Sequence, residues 1–142
     1  MQKAFNILKS NALWLFFFVY AIVISCSTPS KIKHKGAYIE IPTKEVSVGA
    51  LKKDAEKHVY YVTIVNSGDT PLLISEITSS CYCAEAELPH EPIQPGDTYQ
   101  LKVVLDVSEM ALQNPFIREF YIESNATNSK ESIITLTGSI IK

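Results

Sequence analysis

The chain has 142 residues, with 13 Lys+Arg against 15 Asp+Glu, a length that fits one domain and a tail. Beyond residue 25 it carries 11 basic and 15 acidic side chains, a net of −4, which excludes the basic stripe of a phosphate-tracking nucleic-acid protein. Three His, five scattered Gly and no phosphate-loop or paired-His metal motif argue against an enzyme and against a cofactor.

The first element is an address. Met1–Asn11 is short and basic through Lys3 and Lys9, and Ala12–Ile24 is an unbroken run of 13 apolar or aromatic residues. A bilayer-spanning helix needs about 20 residues, so residues 1–25 read as a secretory signal peptide. Val23-Ile24-Ser25-Cys26 then resembles a bacterial lipobox. The resemblance implies that the Cys26 thiol takes a diacylglycerol, that the chain is cut before it, and that the new amino group is acylated. Several acyl chains anchor stably, since each buried methylene contributes about 0.8 kcal/mol. Ser27, rather than Asp, after the cysteine implies the outer membrane, with the protein facing the periplasm. Residues 26–36 are polar and basic and read as a flexible tether, whose Lys31, Lys33 and Lys35 can rest on anionic head groups.

From residue 37 to 142 the apolar period is two, not 3.6. Short strands are expected around Tyr38–Ile41 and Glu45–Val48. His58–Asn66 has apolar residues in both phases, which predicts a central strand covered on each side. Leu72–Ser80 starts with Leu72 and Ile74 in phase and shifts at Ile77, the mark of a bulge. Thr98–Val107 alternates most cleanly, with Tyr99, Leu101, Val103, Leu105 and Val107 on one face. Phe116–Ser124 and Ser132–Ile141 complete the set, and Ser108–Gln113 is long enough for one helical turn. Pro, Gly, Asn and Asp cluster at 66–71 and 92–97, where Pro fixes φ and Gly permits turns. About seven short strands with frequent turns predict an all-β, immunoglobulin-like β-sandwich.

Asn66-Ser67-Gly68, Pro71-Leu72, Ile74, Ser80-Cys81-Tyr82-Cys83, Glu91-Pro92-Ile93, Pro95-Gly96 and Ser124-Asn125 together resemble the domain-of-unknown-function 1573 family. The resemblance spans roughly residues 38–141. It implies an immunoglobulin-like envelope domain, often on a lipoprotein, and brings no activity with it. Tyr82 stands where the family usually has Gly and Ala84 where it usually has Thr, which puts a glycine-dependent bend between the cysteines in question.

With Cys26 lipidated, Cys81 and Cys83 are an even pair in an oxidising compartment. On an extended strand they share a face with Glu85 and Glu87, and their Cα atoms stand ~6.6 Å apart, near the upper limit for a disulfide. Three readings stand side by side. The pair is a small-ring disulfide or two half-buried thiols, or it captures a soft metal such as Cu(I) or Zn(II) with His90 as a third ligand, or it holds a catalytic thiol helped by His90. His34, in the tether, and His58, opening a strand, read as solvated. The expectation is a membrane-anchored periplasmic lipoprotein whose single domain binds or scaffolds an envelope protein through its loops or an exposed sheet edge. The alternative is a thiol-redox or soft-metal-handling protein centred on Cys81 and Cys83.

Overall fold

Alternation along each strand sorts the chain into an inner and an outer face. In the computed structural model, which describes residues 34–53 and 57–142, these inner faces close on one core. The strands are β1 (Ile39–Glu40), β2 (Glu45–Lys52), β3 (Lys57–Asn66), β4 (Ile74–Ser79), β5 (Ala84–Ala86), β6 (Thr98–Asp106), β7 (Phe116–Ser124) and β8 (Glu131–Ile141). They form two four-stranded sheets, in the orders β1-β3-β6-β5 and β2-β8-β7-β4. All pairings are antiparallel except β2 with β8. The chain enters the first sheet as β1, crosses at buried Ile41, and joins the second sheet as β2. This is the all-β, immunoglobulin-like sandwich that the period-two pattern predicts.

Strand β6 shows why the pattern works. Leu101, Val103 and Leu105 are fully buried, while Gln100 and Lys102 face outward. They meet Val62 and Ile64 of β3 and, across the sandwich, Phe116, Phe120, Ile122, Ile134 and Leu136. The register shift between Ile74 and Glu76 is the bulge expected in β4. The helical turn after β6 is the single 3₁₀ turn Val107–Glu109. The Asp106 carboxylate caps it, accepting from the Ser108 amide (3.1 Å) and hydroxyl (2.6 Å). The hydroxyl bond first, then the amide bond and Lys57, outweigh partial desolvation and hold the Asp106 carboxyl below its ordinary range. The cap is therefore in place above the ordinary aspartate pKa and is lost as pH falls through the lowered one.

Among the described residues the strands number eight, in keeping with the expected seven or so; the addition is the three-residue β5, too short to show a period. Three expectations need correction. Strand β3 is central in its sheet, but Val59 and Tyr61 are exposed, since a two-layer sandwich covers one face of each sheet only. Its outward apolar residues are β-branched or aromatic types that favour strands without burial on both sides. His34–Gly36, at the end of the expected tether, is docked on the domain. The His34 amide donates to Ser67 O (3.2 Å), the His34 ring stacks on Tyr38, and the Gly36 amide donates to Asp69 Oδ1 (2.6 Å). Finally, the two cysteines lie in a turn, described below. The expected signal peptide and lipid-bearing Cys26 lie outside the described residues.

The two turn clusters seen separately in the sequence are one structure, joined by Asn66. Its side chain is fully buried at the end of β3. Oδ1 accepts from the Gly68 amide (3.1 Å) and the Tyr38 amide (3.3 Å), and Nδ2 donates to Thr70 O and Ile93 O (both 2.9 Å). The Gly96 amide donates to Asn66 O (2.7 Å), and Gly96 takes φ +81°, the region Gly occupies at no steric cost. One buried amide thus fixes β1, the 66–71 turn and the 92–97 loop to each other.

Candidate functional site

Strand β4 ends in Ser79, and the chain turns back toward β5 through Ser80-Cys81-Tyr82-Cys83. The Ala84 amide closes the turn on Cys81 O (3.3 Å), and the Ser79 hydroxyl braces it by donating to Cys81 O (3.0 Å). Cys81 and Cys83 are bonded to each other as a disulfide, with Cα atoms 5.3 Å apart. That separation is within ordinary disulfide range and shorter than the extended-strand expectation, because the backbone curls. Tyr82 sits at the apex, fully exposed. No non-glycine residue among those described has positive φ, so this turn does not need the glycine the family usually places there.

The two sulfurs have different surroundings. Cys81 is half-buried and borders an open cleft of about 450 Å³ with Thr78, Ser79, Ser80, Tyr82, Ala84 and Glu85. Cys83 is 9% exposed and packs into the core. Arg118 of β7 reaches it from the opposite sheet, its Nε donating to Cys83 Sγ at 3.3 Å. The guanidinium also donates to Ile117 O (2.6 Å) and lies 5.7 Å over the Phe116 ring. Among the described residues it forms no ion pair. Arg118 escapes a reading of the sequence that looks for apolar alternation. The one available signal is its phase: it holds an inward position between Phe116 and Phe120.

His90 is exposed and does not join the cysteines. Strand β5 first carries the chain along β6, from the Asp106–Cys83 bond to the Glu87–Lys102 bond, before His90 is reached. Among the described residues no group of three or more His, Cys, Asp or Glu side chains is arranged to hold a metal ion. The metal set Cys81, Cys83 and His90 is therefore not assembled.

A second feature depends on register across three strands. On the outer face of the second sheet Glu123 of β7 stands opposite Glu76 of β4 on one side and Glu131 of β8 on the other. All three are exposed, and none forms an ion pair among the described residues. In the next row Tyr121 stands between Thr78 and Ile133, with exposed Ile117 further along β7. The Tyr121 hydroxyl donates to Glu119 Oε2 (2.6 Å). That bond first, then partial burial and the charges of Glu119 and Glu131, raise the phenol's pKa above its ordinary value.

Two packed four-stranded sheets, with the entering segment divided between them, define an immunoglobulin-like sandwich. The chain belongs to the family described as protein of unknown function DUF1573, which it matches over residues 39–140. Among solved structures it resembles a protein of unknown function from Porphyromonas gingivalis W83 (TM-score 0.62, 18% identity), covering 82% of this chain and 51% of that one. It also resembles the ASH/PapD-like domain 7 of human CEP192 (TM-score 0.58, 10% identity), covering 84% of this chain and 93% of that one. A third likeness is to the E. coli chaperone DraB (TM-score 0.52, 12% identity), covering 75% and 57% respectively. At these identities the likeness is one of fold. A search of curated proteins found no match.

Proposed function

We propose that this chain is a binding module of the cell envelope, not an enzyme, held at the outer membrane by lipid on Cys26 and facing the periplasm. The observation that carries the reading is the outer face of the second sheet. Its row Glu76–Glu123–Glu131 places like charges directly opposite one another, an arrangement that disfavours the free domain. Exposed Ile133 and half-buried Tyr121 lie beside it, with exposed Ile117 further along β7 beyond Glu119. An apolar centre bordered by charge is the anatomy of a docking face. A partner bringing Lys or Arg to this face relieves the repulsion and covers the apolar residues. The long edges are poorer candidates for strand addition. Bulges at Ser47/Gly49 in β2 and at Ile74/Glu76 in β4 interrupt both, a common protection against edge pairing.

Glu123 is the centre of the row and tests the reading. Glu123→Gln removes two like-charge contacts and should stabilise the free domain by about 0.5 kcal/mol in low salt, with the gain shrinking as salt is added. Urea denaturation of the purified domain measures it. A loss of stability would show that Glu123 has a structural role instead.

The anchor rests on Val23–Cys26 following the apolar core. Cys26→Ser should abolish labelling by radioactive fatty acid and leave an uncleaved precursor. Trp14 is the only tryptophan, so cleaved protein emits as tyrosine alone. Tryptophan emission from membrane-purified protein would count against cleavage.

A further inference from the structure

We propose that the Cys81–Cys83 turn is a thiol–disulfide exchange site, where an incoming thiolate attacks Cys81 and Cys83 leaves as a thiolate beside Arg118. This goes beyond the docking face and does not depend on it. Cys81 borders the open cleft below Tyr82, so it is the sulfur that an external thiolate meets. Cys83 does not border that cleft and receives the Arg118 Nε–H at 3.3 Å. A guanidinium beside a sulfur favours its thiolate, and a better-stabilised thiolate leaves faster. The other charged groups around Cys83 do not offset Arg118. Asp106 of β6 offers Cys83 O its main-chain amide (2.8 Å) while its carboxylate is taken by Ser108, and Glu85 of β5 is exposed at the cleft. Glu119, next to Arg118, faces outward and is held by Tyr121.

In the step, the thiolate sulfur bonds to Cys81 Sγ as the Cys81–Cys83 bond breaks, and the electron pair of that bond leaves on Cys83 Sγ. The products are a mixed disulfide on Cys81 and one thiolate, so charge and electrons balance without an oxidant. Return attack by the Cys83 thiolate on Cys81 Sγ releases the incoming group again as a thiolate and restores the ring. Because the ring closes over one residue, it restrains the unfolded chain little, and opening it leaves the domain folded.

The test treats the full chain with reduced glutathione or with a cysteine-bearing peptide, quenches with iodoacetamide, and maps the adduct by mass spectrometry. The thiol is expected on Cys81 with Cys83 alkylated; a preference for the peptide assigns the site to protein thiols, and equal or faster reaction with glutathione to small thiols. Arg118→Ala should slow opening roughly fivefold and move alkylation of Cys83 in the reduced protein to higher pH, with Arg118→Lys restoring part of both. An adduct on Cys83, or Arg118→Ala reacting like the unsubstituted protein with an unchanged pH profile, would overturn the proposal. If Arg118→Ala fails to fold, the position of the adduct on the unsubstituted protein decides.

Discussion

Asn66→Asp is expected to destabilise the domain by about 4 kcal/mol at neutral pH, and by much less near pH 4. The substitution keeps the shape of the side chain but removes both donors. Thr70 O and Ile93 O, each 2.9 Å from Nδ2, then face a carboxylate oxygen instead of an N–H. The site is fully buried, so the charge is desolvated, and desolvation raises a carboxyl's folded pKa above its unfolded value. Such a group is best tolerated below the unfolded pKa, and its penalty grows as pH rises through the raised folded one. Asn66→Ala provides the control. It strands the same carbonyls and the amides of Tyr38 and Gly68, at a cost of about 3 kcal/mol that carries no titration of its own. Denaturation of both variants against the unsubstituted protein at two pH values separates the effects. Equal, pH-independent losses would mean that the buried amide is not the junction described.

Gly68→Ala is the second large effect, expected near 3 kcal/mol and concentrated on the first strand. A Cβ at this position would stand 1.9 Å from Gly36 O and 2.7 Å from the Tyr38 amide nitrogen, both main-chain atoms. Residues 34–38 have to move away. In moving they give up the Asp69 amide to Gly36 O bond (3.0 Å) and the Ser67 amide to Tyr38 O bond (3.1 Å), and they uncover Ala37 and Ile39. Amide hydrogen exchange should then rise through residues 36–40 while β6, at the centre of the same sheet, stays protected. Uniform loss of protection would place the effect in the whole sandwich.

The sandwich was legible because its information is local. In Thr98–Val107 each residue declares its face by its own polarity, and Leu101, Val103 and Leu105 are buried as that pattern requires. Where structure departs from the reading, the missing information is non-local or too short to repeat. Strand β5 has three residues and pairs with β6 only through Ala84–Ala86. The cysteine turn looked extended because two residues carry no period. The inward position of Arg118 makes sense only once Cys83, 35 residues earlier, is seen opposite it. The row Glu76–Glu123–Glu131 is invisible without the registers of two strand pairs. The family resemblance pointed to Asn66-Ser67-Gly68 as a motif; the structure supplies its reason, a buried amide and a glycine too close to another backbone for any side chain.

Site-specific photocrosslinking in cells tests the binding reading most directly. A photoreactive amino acid at Ile133, beside the glutamate row, is compared with one at Tyr61, exposed on the first sheet. The account predicts a discrete adduct from position 133, weakened by Glu123→Gln and by high salt, and little from position 61. Equal yields from both positions, or an adduct from 133 that ignores Glu123 and salt, would contradict it.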